Sequence, residues 1–368
     1  MTCCRGEGRS ESPQNEKKSL GSLPLAALEA ELAALGQPAY RAAQLFGWLH
    51  QKQATAFADM TNLPAALRAR LEADYTIDVP TVVRHQRSAD GTEKLLLQLN
   101  DGHCIEAVLM HYHHGTTLCV SSQVGCRMGC RFCASAAAGL VRNLSAGEMA
   151  AQLYVAQRLC TQRIHHVVLM GMGEPLDNFD AVVDFIAIVT HAAGADLSVR
   201  NISLSTCGLV PAIRRLAKLR LGLTLSVSLH AATNAQRSAL MPVNDAYPLQ
   251  VLMAACKDYR RATGRRVSFE YTLARGQNDA EADALALQAL LAGQDAHVNL
   301  IPTNPVRGTS FLPSDAAAVE AFAALLRQKG VNATVRRRLG ADIDAACGQL
   351  RLRHLAEEDG GHQNEQNA

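Results

Sequence analysis

The chain has 368 residues, 48% of them hydrophobic and 19% charged, enough apolar material for one large domain plus a small one. Lysine and arginine number 36 against 34 aspartates and glutamates, so the strongly basic and strongly acidic classes are excluded and the balance alone neither demands nor forbids a nucleic-acid partner. No apolar run approaches the roughly 18 residues of a membrane helix, and the polar start has no signal core, so a cytoplasmic protein without a membrane partner is expected.

Residues 1–20, "MTCCRGEGRSESPQNEKKSL", are polar with little to bury and read as a disordered tail, in which Cys3 and Cys4 are given no role. Residues 21–78 carry helical periodicity in "LPLAALEAELAAL", "AYRAAQLFGWLHQ" and "LPAALRARLEADY", broken at "GQP" and "TNLP", which predicts a small helical domain with Trp48 in its core. Residues 79–116 change to a strand pattern with turn signals at "ADG" and "NDG", a short β-hairpin linker. From 117 to 352 strand-like runs alternate with helix-like segments. The strands are "TLCVSSQ", "HHVVLMGMG", "NISLSTCG", "LTLSVSLHA", "VSFEYTLARG" and "HVNLIPTNP", with "NATVRRRLG" as a candidate seventh. Six βα units predict an α/β fold, a parallel sheet curled into a partial (β/α)6 barrel. Residues 353–368 again read as a tail.

The chemically unusual residues collect at one end of these strands. Cys126, Cys130 and Cys133 follow the first, Gly173 and Glu174 the second; Ser205 and Thr206 end the third, Ser228 and His230 the fourth, and Asn304 follows the sixth. Carboxyl ends of parallel strands are where α/β barrels assemble their sites.

In a reducing compartment, eleven cysteines point to metal ligands, catalytic thiols or buried small residues rather than disulfides. The C-x3-C-x2-C triplet lacks the second pair that structural zinc wants. A four-iron cluster held by three thiolates, in contrast, keeps one iron open for another ligand. The triplet after the first barrel strand resembles the radical S-adenosylmethionine superfamily, and "GMGEP" resembles its loop for the methionine amino group.

"CVSSQVGC", "GMGEPLDN", "LSTCGLVPAI", "SVSLHAATNAQR", "FEYTL", "VNLIPTNPV" and "DIDAACGQLR" together resemble the RlmN/Cfr family of radical RNA methyltransferases, from about Tyr40 to Leu352. That resemblance implies a [4Fe-4S] cluster on Cys126, Cys130 and Cys133, and S-adenosylmethionine contacts at Gly173, Glu174, Ser205, Ser228, Leu229, His230 and Asn304. It implies methylation of adenine C2 in 23S ribosomal RNA and, in the C2 branch, some transfer RNAs. Carbon 2 is electron-poor, so an electrophilic methyl cannot simply be handed to it. In the family a cysteine is methylated first, Cys347 here, and its thioether methyl becomes the carbon radical that adds to the base. Cys119 matches the thiol that releases product by forming a disulfide with Cys347, and Glu106 the proton acceptor. An external electron donor and a disulfide reductant are then required as partners, for a protein expected to be a monomer.

Departures from the family pattern are Leu339 and Ala341 where Arg-Gly-Asp-Asp is common, "ASAAAG" behind the cluster, and "STCG" ending the third strand. Two rivals are a C8-directed methyltransferase and a zinc-bound RNA-binding module. Cys104, Cys160, Cys207 and Cys256 are expected to pack in or near the core, and His111 to His114 to form a solvated loop. The arginines at 214–215, 260–261, 265–266 and 336–338 would suit phosphate contacts if they shared a face.

Overall fold

Alternating β-branched runs and amphipathic helices fold as the pattern predicts. The computed structural model describes residues 17–302, 312–337, 339–340, 342–343 and 349–354. The sequence-predicted tails lie almost wholly outside these residues, as do Asn304 and Cys347.

A short strand β1 (Lys18–Ser19) leads into helices α1 (Leu25–Ala34), α2 (Tyr40–Phe46) and α3 (Ala65–Asp74), and β2 (Tyr75–Thr76) returns parallel to β1. Leu28, Leu32, Leu45, Phe46, Leu67 and Leu71 form its buried side, continuous with the barrel core. Trp48 is not central to that core. Helix α2 runs into a π-turn over Gly47–Gln51, closed by Lys52 N–H to the Gly47 carbonyl at 2.9 Å. The wider turn shifts the side-chain register, so His50 is buried while Trp48 sits at the periphery with Lys52 over its ring.

Strands β3 (Thr81–Arg87), β4 (Glu93–Gln98) and β5 (Cys104–Tyr112) follow as an antiparallel meander, with turns where "ADG" and "NDG" stand. The linker is more than a hairpin, because β5 pairs antiparallel with β6 (Gly115–Cys119), the first barrel strand. Next come β7 (Gln123–Gly125), α4 (Ala134–Ala137) and β8 (Leu140–Asn143), where β7 and β8 pair as a separate ribbon. Helix α5 (Ala146–Leu159) opens on a capping box between Ser145 and Glu148.

Alternation continues through β9 (Ile164–Leu169), α6 (Phe179–Thr190), β10 (Ile202–Thr206), α7 (Val210–Leu219) and β11 (Thr224–Ser228). After β11 come α8 (Asn234–Leu240), α9 (Val243–Ala246) and α10 (Leu249–Thr263), then β12 (Val267–Leu273), α11 (Glu281–Leu291), β13 (Ala296–Pro302), α12 (Ala316–Gln328) and β14 (Asn332–Val335). One ten-stranded sheet results, in the order β14-β13-β12-β11-β10-β9-β6-β5-β4-β3. Its members from β6 to β14 are all parallel, so the candidate seventh strand is present. Among the described residues no helix is long and apolar enough to cross a membrane.

Candidate active site

A cavity of about 380 Å³ opens at the carboxyl ends of the parallel strands, and Cys126, Cys130, Cys133, Gly173, Ser205 and His230 share its walls. Glu174 and Ser228 line it as well.

The cysteine loop owes its closure to glycine. Gly125 has φ +80°, and a Cβ there would lie 1.9 Å from the Gly139 carbonyl oxygen, so the two ends of the loop can meet only without a side chain. Cys126 N–H donates to that carbonyl at 2.9 Å, and Arg131 N–H docks the middle of the loop on the Leu240 carbonyl of α8 at 3.0 Å. Burial pushes the Cys126 and Cys130 thiols up to about 12, and the charge of neighbouring thiols adds to it. A cationic centre reverses that effect, since coordination deprotonates a thiol outright. Among the described residues no three His, Cys, Asp or Glu side chains converge tightly enough for a single metal ion. Three thiols spread along one wall fit a multi-iron cluster better than one zinc.

Glycine also shapes the second loop. Gly173 has φ +104°, and its Cβ would fall 2.7 Å from Gln123 Cβ. Glu174 is buried; its Oε2 accepts from Cys207 N–H at 2.7 Å and its Oε1 from Leu176 N–H at 3.1 Å, joining the ends of β9 and β10. Burial raises this carboxyl above its ordinary value.

His230 adopts φ +56°, and its Nδ1 accepts from Thr272 N–H at 3.0 Å. The proton of the neutral ring therefore sits on Nε2. Burial and then the Arg237 charge hold this imidazole down to about 3, so it is neutral at physiological pH. Leu229 differs from its neighbours. Its side chain is in the core rather than on the cavity wall, and its carbonyl accepts from Arg237.

Cys119 is buried with Val108 and Met110, against Met170 and Leu339. Those four neighbours all line the cavity, so Cys119, which does not itself line it, is packed behind that wall. Glu106 is deeper on β5: its Oε2 is 3.0 Å from Lys94 Nζ and its Oε1 accepts from Arg351 N–H at 2.8 Å. The turn after β3 grips the chain upstream of Cys347. Gly340 N–H donates to Asp90 Oδ2 at 2.8 Å, Ala89 N–H to Asp342 Oδ2 at 3.0 Å, and the Ser88 hydroxyl to Asp342 Oδ1. Leu339, one of the departures, lines the cavity.

Three residues to which no function was attached emerge here. Cys207 lines the cavity and binds Glu174 through its N–H; Glu270 lines it from β12, held by Asn299 Nδ2 at 2.7 Å; Arg237 is buried behind the cysteine loop. Period-two alternation in "VSFEYTL" marks Glu270 as inward-facing, whereas nothing local marks Arg237. The arginines do not share one face. Arg336 and Arg337 line the cavity, while Arg260, Arg261, Arg265 and Arg266 lie where α10 runs into the start of β12, at the opposite rim. Arg215 and Arg260 pair with Asp180 and Asp295. His113 and His114 are exposed at the β5–β6 turn.

Residues 120–289 match the Radical SAM superfamily, and residues 19–77 match the ribosomal RNA large subunit methyltransferase N-terminal domain. A protein of Pelotomaculum thermopropionicum named "Probable dual-specificity RNA methyltransferase RlmN" is 50% identical over 351 residues, covering 95% of each chain. The chain belongs to the RlmN family of radical S-adenosylmethionine RNA methyltransferases. A relative of the same name from Lachnoclostridium phytofermentans is 47% identical, over 91% of this chain and 95% of that one. The crystal structure of a radical SAM methyltransferase from Sphaerobacter thermophilus superposes with a TM-score of 0.86 at 46% identity, over 90% of this chain and 98% of that one. The barrel fold and RNA-methylating class expected from the sequence are thereby borne out.

Proposed function

We propose that this chain methylates carbon 2 of an adenine in 23S ribosomal RNA and in transfer RNA, with a [4Fe-4S] cluster held by Cys126, Cys130 and Cys133. The observation that carries the proposal is one cavity lined by all three thiols, the Gly173–Glu174 loop, Ser205, Ser228 and His230. When bound, the cluster and S-adenosylmethionine supply the one-electron chemistry that a carbon radical requires.

The chain's own residues do the rest. Glu174 brings a buried carboxylate to the cavity wall, already oriented by the Cys207 and Leu176 N–H groups, as a counter-charge for an ammonium group. Neutral His230 presents Nε2–H as a donor, and Ser205 and Ser228 offer hydroxyls to ribose or carboxylate oxygens. Leu229 contributes through its backbone, and Asn304 would complete the set. The Cys347 thiolate attacks the sulfonium methyl carbon of one S-adenosylmethionine, forming a thioether as S-adenosylhomocysteine leaves. After that carbon has bonded to the adenine, the adduct gives up one electron, which the cluster would take back, and Glu106 accepts the C2 proton. The Cys119 thiolate then attacks the Cys347 sulfur, a disulfide forms as the sulfur–carbon bond breaks, and the released carbon takes up a proton to complete the methyl group. An external thiol must return two electrons to that disulfide before the next turnover. Residues 21–78 and the cavity-mouth arginines grip the RNA backbone, and the target base is unstacked to enter. The protein acts in the cytoplasm as a monomer.

Anaerobically reconstituted protein, given S-adenosylmethionine, a low-potential electron donor and RNA, should yield 2-methyladenosine by mass spectrometry. Product at C8 would reassign the regiochemistry. A colourless, iron-free, zinc-bearing protein would overturn the assignment.

A further inference from the structure

Arg237 of α8 is completely buried, although a permanent cation is almost never so unless paired. Its bonds go to neutral acceptors. Nη2 donates to the carbonyls of Cys207 at 2.6 Å and Ser228 at 3.1 Å, Nε to the Leu229 carbonyl at 3.2 Å, and Nη1 to Asn244 Oδ1 at 3.2 Å. Among the described residues no carboxylate accepts a hydrogen bond or ion pair from it. Taking an ion out of water without a counter-charge costs several kcal/mol. A side chain kept in that state points to a negative charge supplied from elsewhere.

The position of α8 shows where such a charge would sit. Met128, Cys130 and Phe132 of the cysteine loop pack against Cys207, Leu240 and Met241, and Arg131 N–H is bonded to the Leu240 carbonyl. The helix is therefore the floor beneath the cysteine loop. Arg237 reaches the same place, since Nη2 is bonded to the carbonyl of Cys207, whose side chain packs with Cys130. Three thiolates around a four-iron core of charge 2+ leave a net negative assembly, which gains a further negative charge on reduction.

We infer that Arg237 is the buried counter-cation of the iron–sulfur cluster, setting its reduction potential while it clamps the carbonyls of Cys207, Ser228 and Leu229. The inference rests on the cluster assignment made above. A nearby cation favours the more negative, reduced form, so neutralising it makes the cluster harder to reduce. Arg237 acts through the cluster and through Ser228 and His230, and is a positioning residue rather than a catalytic one.

The test compares cluster midpoint potentials by anaerobic titration followed by electron paramagnetic resonance. The proteins are wild type, Arg237→Gln, Arg237→Lys and Asn244→Asp. The last variant sets a carboxylate on Nη1, neutralising the cation without removing the three carbonyl bonds. Arg237→Gln and Asn244→Asp should each change the oxidised-to-reduced ratio at fixed potential at least tenfold, a fall of about 59 mV for one electron, while Arg237→Lys moves less than a third as far. A pure structural clamp predicts the opposite: Arg237→Lys shifting with Arg237→Gln and Asn244→Asp unchanged, which would overturn the inference. If Arg237→Gln does not fold, Asn244→Asp against wild type decides alone. Iron and sulfide content separate the two failures. Wild type without a four-iron cluster defeats the underlying assignment, whereas a normal cluster with an unmoved potential in Asn244→Asp defeats only the role given to Arg237.

Discussion

Replacing Lys94 by methionine should cost far more stability than any surface charge in this protein. The Lys94 and Glu106 side chains are 0% and 3% exposed, with Nζ 3.0 Å from Oε2. Methionine retains most of the aliphatic stem, so the loss is mainly the ammonium, and the buried carboxylate loses the Lys94 charge 3.0 Å away. Breaking a buried pair from one side costs about 3–5 kcal/mol, against roughly 0.2–1 for exposed pairs. Glu106→Gln alone takes the Glu106 charge away from the buried ammonium and should cost a similar amount. The double variant removes both charges, and Gln can still accept from Arg351 N–H, so it should lie within about 2 kcal/mol of wild type. The coupling energy from this cycle is then about 4 kcal/mol or more in favour of the double variant over additivity. Urea unfolding of the cluster-free protein by circular dichroism measures it, provided the slope with denaturant is the same for all four proteins. Additive single effects would refute the buried-pair account.

Gly125→Ala should abolish cluster loading, because the new Cβ meets the Gly139 carbonyl oxygen at 1.9 Å with nothing flexible to yield; iron content near wild type would contradict this. Asp342→Ala releases Ser88 and Ala89 from the segment upstream of Cys347. It should slow methylation of that cysteine roughly tenfold through lost positioning, with iron content unchanged; an unaltered single-turnover rate would dismiss the anchor. His50 is held down to about 3 by burial and then by the His191 charge. Its folded value lies below the unfolded one near 6.5, so the stability it contributes is present above pH 6.5 and is lost as pH falls, about 2 kcal/mol by pH 5. His50→Gln should flatten the decline between pH 7.5 and 5 by that amount, and parallel curves for the two proteins would count against it.

The site rim was legible because strand periodicity fixes which residues fall at carboxyl ends, and Cys126, Gly173, Ser205 and His230 all fall there. Trp48 was misplaced because a π-turn is one extra residue in a helix, invisible to a 3.6-residue pattern, and it turned His50 inward instead. Arg237 was illegible for another reason. Its burial comes from α8 packing under the cysteine loop, about a hundred residues earlier in the chain, and arginine in a short polar helix is ordinarily solvated. Cys207 looked like packing because its contact with Glu174, through both N–H and thiol, joins loops that lie 33 residues apart in the chain, a juxtaposition the local sequence does not announce.

The central claim is that the transferred carbon passes through a thioether on Cys347 and is activated there by loss of a hydrogen. S-adenosylmethionine with a fully deuterated methyl group tests it directly, by mass spectrometry of the methylated adenosine and of the 5′-deoxyadenosine formed. The account predicts a product methyl with two deuteriums and one protium, and the missing deuterium in 5′-deoxyadenosine. A product methyl that keeps all three deuteriums would mean direct displacement onto the base, and would contradict it.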